Sequence, residues 1–205
     1  MANPVNPAQS LAFSPIGTLG LEQLATTIGG RVTIVCGFPA SGKTTATSVL
    51  SRLLSAVVLD KDQFAPRLEE SVMAELTGNP YDRDSELYRR VVSPHLYLAL
   101  IQQAFTIAER CPVVVDAPFL GYIRTAAQRG IRLADYVRSV ADTSDIAIRT
   151  VWVDTDTDRI RGRMQRRGAE RDEPKLSDWN SYRNTVLHSD LADAGPAVTD
   201  HIIAN

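Results

Sequence analysis

Gly37-Phe38-Pro39-Ala40-Ser41-Gly42-Lys43-Thr44 fits the pattern G-x-x-x-x-G-K-[ST] at every fixed position. Before it, Arg31-Val32-Thr33-Ile34-Val35-Cys36 is a short, β-branched apolar run that reads as a buried strand. After it, Thr45 to Leu54 place Val49, Leu50, Leu53 and Leu54 on one helical face. A strand, a glycine turn and a helix in this order make an anion cradle. Gly37 and Gly42 let consecutive N–H groups, including those of Ala40, Ser41 and Thr45, converge on one phosphate chain. The positive end of the helix stands behind them. Lys43 adds a compact charge for the outer phosphates, and the Thr44 hydroxyl is suited to a magnesium ion. The stretch therefore predicts binding of a nucleoside triphosphate.

The rest of the chain repeats the alternation. Strands are expected at Ala56–Asp62, Pro112–Asp116, Ala147–Asp154 and, briefly, His201–Ile203, with Ala56–Asp62 read as buried. Helical sequence is expected at about Gln63–Leu76, from Ser85 to Glu109, over Gly121–Val140, Thr157–Arg167 and Ser177–Leu187. Gly168–Leu176 reads as polar loop, and Pro94 predicts a kink or two helices. Strands alternating with helices imply α/β architecture: a five-stranded parallel sheet between two helical layers, with ligands at the carboxyl ends of the strands. Residues 1–30 read as an irregular arm followed by a short helix closed by Gly29-Gly30, and residues 31–205 as one domain.

Composition narrows the class. With 205 residues, 44% hydrophobic content, 22% charged content and a formal charge of -2, the chain suits one globular domain and disfavours broad nucleic-acid binding. Cys36 and Cys111 adjoin apolar runs and read as buried thiols. No apolar run is expected to reach the roughly 20 residues of a membrane span, no secretory signal is visible, and the cytoplasm is the default.

Asp60, Asp62, Asp116 and Asp154 follow strand-like runs, so each can reach the rim where the loop opens. Phosphoryl transfer uses one acid to orient the attacking hydroxyl and another to hold the metal. Asp116 suits the metal. Asp60 and Asp62 suit the hydroxyl, with a helix N-cap as the plain alternative. Asp154 reads more readily as part of a capped helix start. Farther on, Arg159 to Arg171 holds six arginines in thirteen residues. Arg159, Arg163 and Arg167 are spaced by four and share a helical face. That face can form an arginine lid over a transferring phosphate, lie open to solvent, or line a nucleic-acid groove.

These pieces together resemble the P-loop kinases of small molecules and of nucleic-acid 5′ ends, a group that includes chloramphenicol phosphotransferase, gluconate kinase, adenylylsulfate kinase and polynucleotide kinase. The resemblance spans about residues 31–203. It rests on Gly37–Thr44, Leu59-Asp60-Lys61-Asp62, Val113–Phe119 and Arg163-Met164-Gln165-Arg166-Arg167-Gly168. It implies ATP and Mg²⁺ as cofactors, Asp62 as base with Asp60 supporting, Arg163 near adenine, and Arg167 and Arg171 at phosphates. The implied acceptor is a small molecule, with a nucleic-acid 5′ end or a regulatory ATPase as alternatives. Three departures stand out. Lys61 replaces the usual small residue between the acids. Arg67 lies five residues beyond Asp62 rather than soon after it. Ala117 stands where motor ATPases carry a second acid. Acceptor contacts are sought among Arg67, Tyr81, Tyr88, Arg89, Arg90 and His95, and beyond the lid at Lys175, Trp179 and Tyr182.

Overall fold

In the computed structural model, β1 (Val32–Cys36) is the middle strand of a five-stranded sheet ordered β2-β3-β1-β4-β5, with every pairing parallel. The structure describes residues 13–83, 85–142 and 146–205, and the side chain of Arg171 lies outside the described set. Most of the proline-containing arm and Asp84 of the polar loop also fall outside it. The other strands are β2 (Val57–Asp60), β3 (Val113–Asp116), β4 (Ile148–Asp154) and β5 (His201–Ala204). The strand order reverses at β1, which puts the loop that follows it in the ligand crevice of an open parallel sheet.

Alternation of side chains divides the core. Ile34, Cys36, Val115 and Trp152 face one layer, packed against Tyr97, Leu100, Ile101, Ala104, Ile123 and Leu191. Val35, Val114, Val151 and Val153 face the other, where Leu21, Leu24, Ala46 and Leu50 cover them. That second layer is α1 (Pro15–Thr27) and α2 (Lys43–Leu54). Helix α1 starts earlier than the Leu19–Ile28 helix expected from the sequence, at the end of the predicted arm, because Ser14 caps it: its side chain accepts from the Gly17 N–H, and Pro15 fills the first turn.

Several boundaries differ from the sequence expectation. Strand β2 is an edge strand, and its Val57 and Val58 are exposed rather than buried. Lys61 and Asp62 have already left it, opening the single turn α3 (Lys61–Phe64). Pro66 then breaks the predicted helix and starts α4 (Pro66–Thr77), which ends at Gly78 with φ 73°. The next helix begins with a bond from the Tyr88 N–H to Ser85 Oγ (3.1 Å), passes through a π-helical turn (Tyr88–Val92) and continues as α5 (Ser93–Ala108). Pro94 follows the π turn inside this continuous helix, so the chain does not split in two there, and the π-helical turn lies directly before the proline, whose N–H is missing from the ladder. The helical stretch Tyr88–Ala108 is 21 residues long and contains an 18-residue window of mean hydropathy 1.2, so by length and composition one helix does reach spanning length; its buried residues, among them Leu100, Ile101 and Ala104, pack in the core.

Gly130, with φ 63°, divides the predicted 121–140 helix into α6 (Leu120–Gln128) and α7 (Leu133–Val140). Helix α8 (Thr157–Arg167) ends at Gly168 as expected. The predicted loop after it is mostly helical: a 3₁₀ turn (Glu170–Asp172) and α9 (Glu173–Ser177). Then come α10 (Trp179–Tyr182), a π turn (Arg183–Leu187) and α11 (Leu191–Val198), the last having no counterpart in the sequence reading. Cys36 is buried, which pushes its thiol up to about 12, while Cys111 is only half-buried.

Candidate phosphate-loop and acceptor site

The loop between β1 and α2 has the backbone its glycines permit. Gly37 (φ 143°) and Gly42 (φ 103°) take conformations that L side chains rarely adopt, and Ala40 (φ 61°) is left-handed as well. A Cβ on Gly37 would lie 2.8 Å from the Val153 carbonyl, and one on Gly42 2.5 Å from Asn205 Nδ2. The loop thus lies too close to its neighbours for any larger residue at either place. Ser41 is its fixed point. Its carbonyl accepts from Thr155 Oγ1 (2.7 Å), Arg163 Nη1 (2.8 Å) and Asn205 Nδ2 (2.8 Å). Thr155 and Asn205 have no motif to announce them; only the sheet's topology brings the ends of β4 and β5 beside the loop.

Lys43 is buried and donates to the Phe38 carbonyl at 2.8 Å. Burial pulls its ammonium below the usual lysine range, against the Asp116 and Asp62 carboxylates, which favour its charge. Asp116 is buried at the end of β3; burial raises its carboxyl above the usual range, opposed by Lys43 and by a hydrogen bond from Thr44. Asp116 Oδ2 is buried with no hydrogen-bond partner among the described residues. A buried carboxylate oxygen beside the Thr44 hydroxyl is a hard-oxygen pair that fits Mg²⁺.

Asp60 and Asp62 have different surroundings. Asp60 caps α3, accepting from the Asp62 N–H at 2.8 Å and from Gln63 Nε2 at 3.3 Å, so the N-cap reading holds for it. Asp62 Oδ1 lies 3.6 Å from both Lys61 Nζ and Arg83 Nη1. Those two cations are held from behind by buried Glu69, at 2.7 Å from Lys61 and 2.8 Å from Arg83, and Glu69 also accepts from the Tyr88 hydroxyl. Glu69 and Arg83 read in sequence as ordinary helix and loop residues, and Lys61 only as an unusual residue between the two acids, because only the fold brings the three together.

The arginines of α8 do not act as one face. Arg159 pairs with Asp156 (3.5 Å) at the helix start. Arg163 is drawn to the carbonyls of Ala40 and Ser41, and burial lowers its guanidinium from the usual arginine range. Arg167 is held by two bonds to buried Asp172, Nε–Oδ2 at 2.8 Å and Nη2–Oδ1 at 2.7 Å. Arg166, not Arg159, joins Arg163 and Arg167 around the loop. Asp154 is exposed, and the N-cap of α8 is Asp156.

Two cavities open on the loop. One, of about 400 Å³, is lined by Phe13, Ala40, Gly42, Lys43, Thr44, Thr45 and the three arginines. The other, of about 800 Å³, reaches from Lys43 and Asp116 past Asp62 to a wall of Tyr88, Tyr97, Tyr122 and Tyr136. Of the acceptor candidates, Tyr81, Tyr88, Arg89, His95 and Lys175 line it. Arg67 and Arg90 are exposed elsewhere, and Trp179 is buried in the core beside Tyr182, with their rings 5.8 Å apart.

No curated protein matches the chain. A solved structure from Chloroflexus aurantiacus j-10-fl, bearing the provisional name of a kinase, is 18% identical over 86% of this chain and 84% of its own. Its TM-score of 0.45 is too low to bear on function. A family profile described as an AAA domain matches residues 32–186, from the first strand through the phosphate loop and α8 to the π turn. With the loop geometry above, this match places the protein among P-loop nucleotide-binding domains: the chain belongs to the AAA domain family.

Proposed function

We propose that the chain is an ATP- and Mg²⁺-dependent kinase that transfers the γ-phosphoryl group to a hydroxyl of a small molecule. One observation carries this reading: Lys43, Thr44 and Arg167 line both cavities. A donor held over the loop and an acceptor in the larger cavity would meet at those three residues, as in-line transfer requires. The larger cavity has the volume of a small-molecule site, and five tyrosines line it.

In this reading the acceptor hydroxyl gives its proton to Asp62 as its oxygen bonds to the γ-phosphorus. The bond from that phosphorus to the bridging oxygen breaks, and ADP leaves with the electron pair. Lys43 offsets charge on the phosphates, Arg167 offsets charge on the transferring group, and Asp60 holds the turn that presents Asp62. Thr44 and Asp116 would hold magnesium, which would supply positive charge to offset the outer phosphates. The deciding experiment is a phosphate-transfer screen across sugars, nucleosides, aminoglycosides, phenicols and oligonucleotide 5′ ends, with Lys43→Ala as control. Transfer that needs Lys43 and is lost in Asp62→Asn, while ATP still binds, supports the reading. Asp62→Asn with full transfer overturns the base, and hydrolysis indifferent to every acceptor identifies a regulatory ATPase. Transfer confined to oligonucleotides, with steep salt dependence, identifies a nucleic-acid kinase.

A further inference from the structure

Phe13 lines the smaller cavity, just ahead of α1 and far in sequence from the phosphate loop. Two glycines make room for its ring. A Cβ on Gly17 would lie 2.8 Å from Phe13 Cε1, and one on Gly42 3.3 Å from Phe13 Cδ2. The ring is therefore wedged between the first turn of α1 and the loop itself. The backbone beside it is anchored: the Ser14 N–H donates to Asn205 Oδ1 at 2.9 Å, and the same amide reaches the Ser41 carbonyl at 2.8 Å. One side-chain amide thus ties this segment to the loop's fixed point. Arg163 and Arg166 line the same cavity, and a Cβ on Gly42 would lie 3.2 Å from Arg163 Nη1.

A triphosphate cradled by Ala40 to Thr45 occupies the polar floor. Among the described residues lining that cavity, Phe13 is the one aromatic side chain. Nucleobases stack on aromatic faces, and guanidinium planes can cover the opposite face. We propose that Phe13 is the platform on which the base of the donor nucleotide stacks, facing the arginines of α8. The proposal rests on the reading that the smaller cavity is the donor site. It gives the segment before β1 a part in nucleotide binding, although the loop motif lies some two dozen residues farther on.

The test is calorimetric titration of the full chain, and of Phe13→Ala and Phe13→Trp, with MgATP and separately with magnesium tripolyphosphate. Base stacking on an aromatic side chain is worth about 1–3 kcal/mol, or roughly 5- to 150-fold in affinity. Phe13→Ala is expected to weaken ATP binding by about tenfold or more and to leave tripolyphosphate nearly unchanged, with Phe13→Trp restoring ATP affinity. Three results overturn the platform. In one, Phe13→Ala binds ATP as tightly as the parent chain or more tightly, which would make the ring a plug. In another, it loses ATP and tripolyphosphate alike, which would make the ring only a prop for the loop. In the third, the parent chain binds tripolyphosphate as well as it binds ATP. A parent chain that binds neither overturns the donor-site reading itself and the platform with it.

Discussion

Lys61 Nζ lies 2.7 Å from Glu69 Oε1, with the two side chains only 7% and 1% exposed, directly behind Asp62. Glu69 is spaced from Lys61 by the break at Pro66, which turns the start of α4 back toward the strand end. One carboxylate here supports two cations, and those cations flank the proposed base. Removing one partner of a buried pair costs about 3–5 kcal/mol, because the other charge is left buried alone. Glu69→Ala should therefore lower the melting temperature by roughly 6–20 °C for a domain of this size. A shift of about 1 °C, within ordinary surface effects, would show that Lys61 and Arg83 do not depend on Glu69. Differential scanning calorimetry measures it.

Gly195 supplies a test of the helix that the sequence did not reveal. A Cβ there would lie 2.6–2.7 Å from three ring atoms of Trp152, which is 1% exposed on β4. The indole cannot retreat, since Phe38 packs edge-on against it at 5.3 Å. Overpacking of a filled core costs about 1–3 kcal/mol, so Gly195→Ala should destabilise by at least that amount in urea titration. A neutral or stabilising result would mean that α11 does not press on the sheet here.

What was legible follows from what is local. The loop, β1, β3, β4 and α8 were readable because period, caps and fixed chemistry agree within each stretch. The breaks at Pro66 and Gly130 were signalled by residues that also occur inside longer helical patterns, so the composition alone did not force them. Helix α11 is short and contains Pro196, which masks its period. The exposure of Val57 and Val58 depends on β2 being an edge strand, a property of strand order and not of the strand. Site residues divide the same way. Lys43, Thr44, Asp62 and Asp116 carry a pattern; Phe13, Glu69, Arg83, Asp172 and Asn205 enter only through tertiary pairing.

Asp200 gives a pH dependence with a definite sign. It sits before β5, where Oδ2 accepts from the Thr150 N–H and Oγ1, each at 2.9 Å, and Oδ1 lies 3.3 Å from Arg132. Burial pushes its carboxyl upward, but the Thr150 bonds and Arg132 outweigh burial and hold it below the usual range. A folded-state value below the unfolded one contributes stability above the unfolded value, about 3.9 for aspartate, and loses it as pH falls through the folded value. Asp200→Asn should cost about 1.5–3 kcal/mol at neutral pH, the scale of hydrogen bonds to a charged group. The gap between variant and parent should narrow as pH drops from about 5 toward 3. A gap that stays constant or widens there would assign the cost to shape and not to charge.

Asp172 and Arg167 carry the remaining prediction. Asp172 is 2% exposed, and its two oxygens hold the guanidinium at the junction of both cavities. If Arg167 meets the transferring phosphoryl group, its value lies in being aimed before the reaction begins, since fixed charge needs no reorganisation in the transition state. Asp172→Asn keeps the volume and one acceptor but removes the charge and the two-point grip. Loosening a preorganised donor of this kind costs up to about 10²–10³ in rate when the donor is lost outright. A fall in kcat of about tenfold or more is therefore expected for the loosened one. The dissociation constant for ATP should move little, because the phosphate loop and Lys43 remain intact. Asp172→Glu, which restores the charge, should recover part of the rate. Equal losses of kcat and ATP affinity would instead make Asp172 a support for the fold of α8. Steady-state kinetics alongside ATP titration of the three proteins distinguish the two, because a support role lowers ATP affinity together with kcat while a positioning role lowers kcat and leaves the affinity in place.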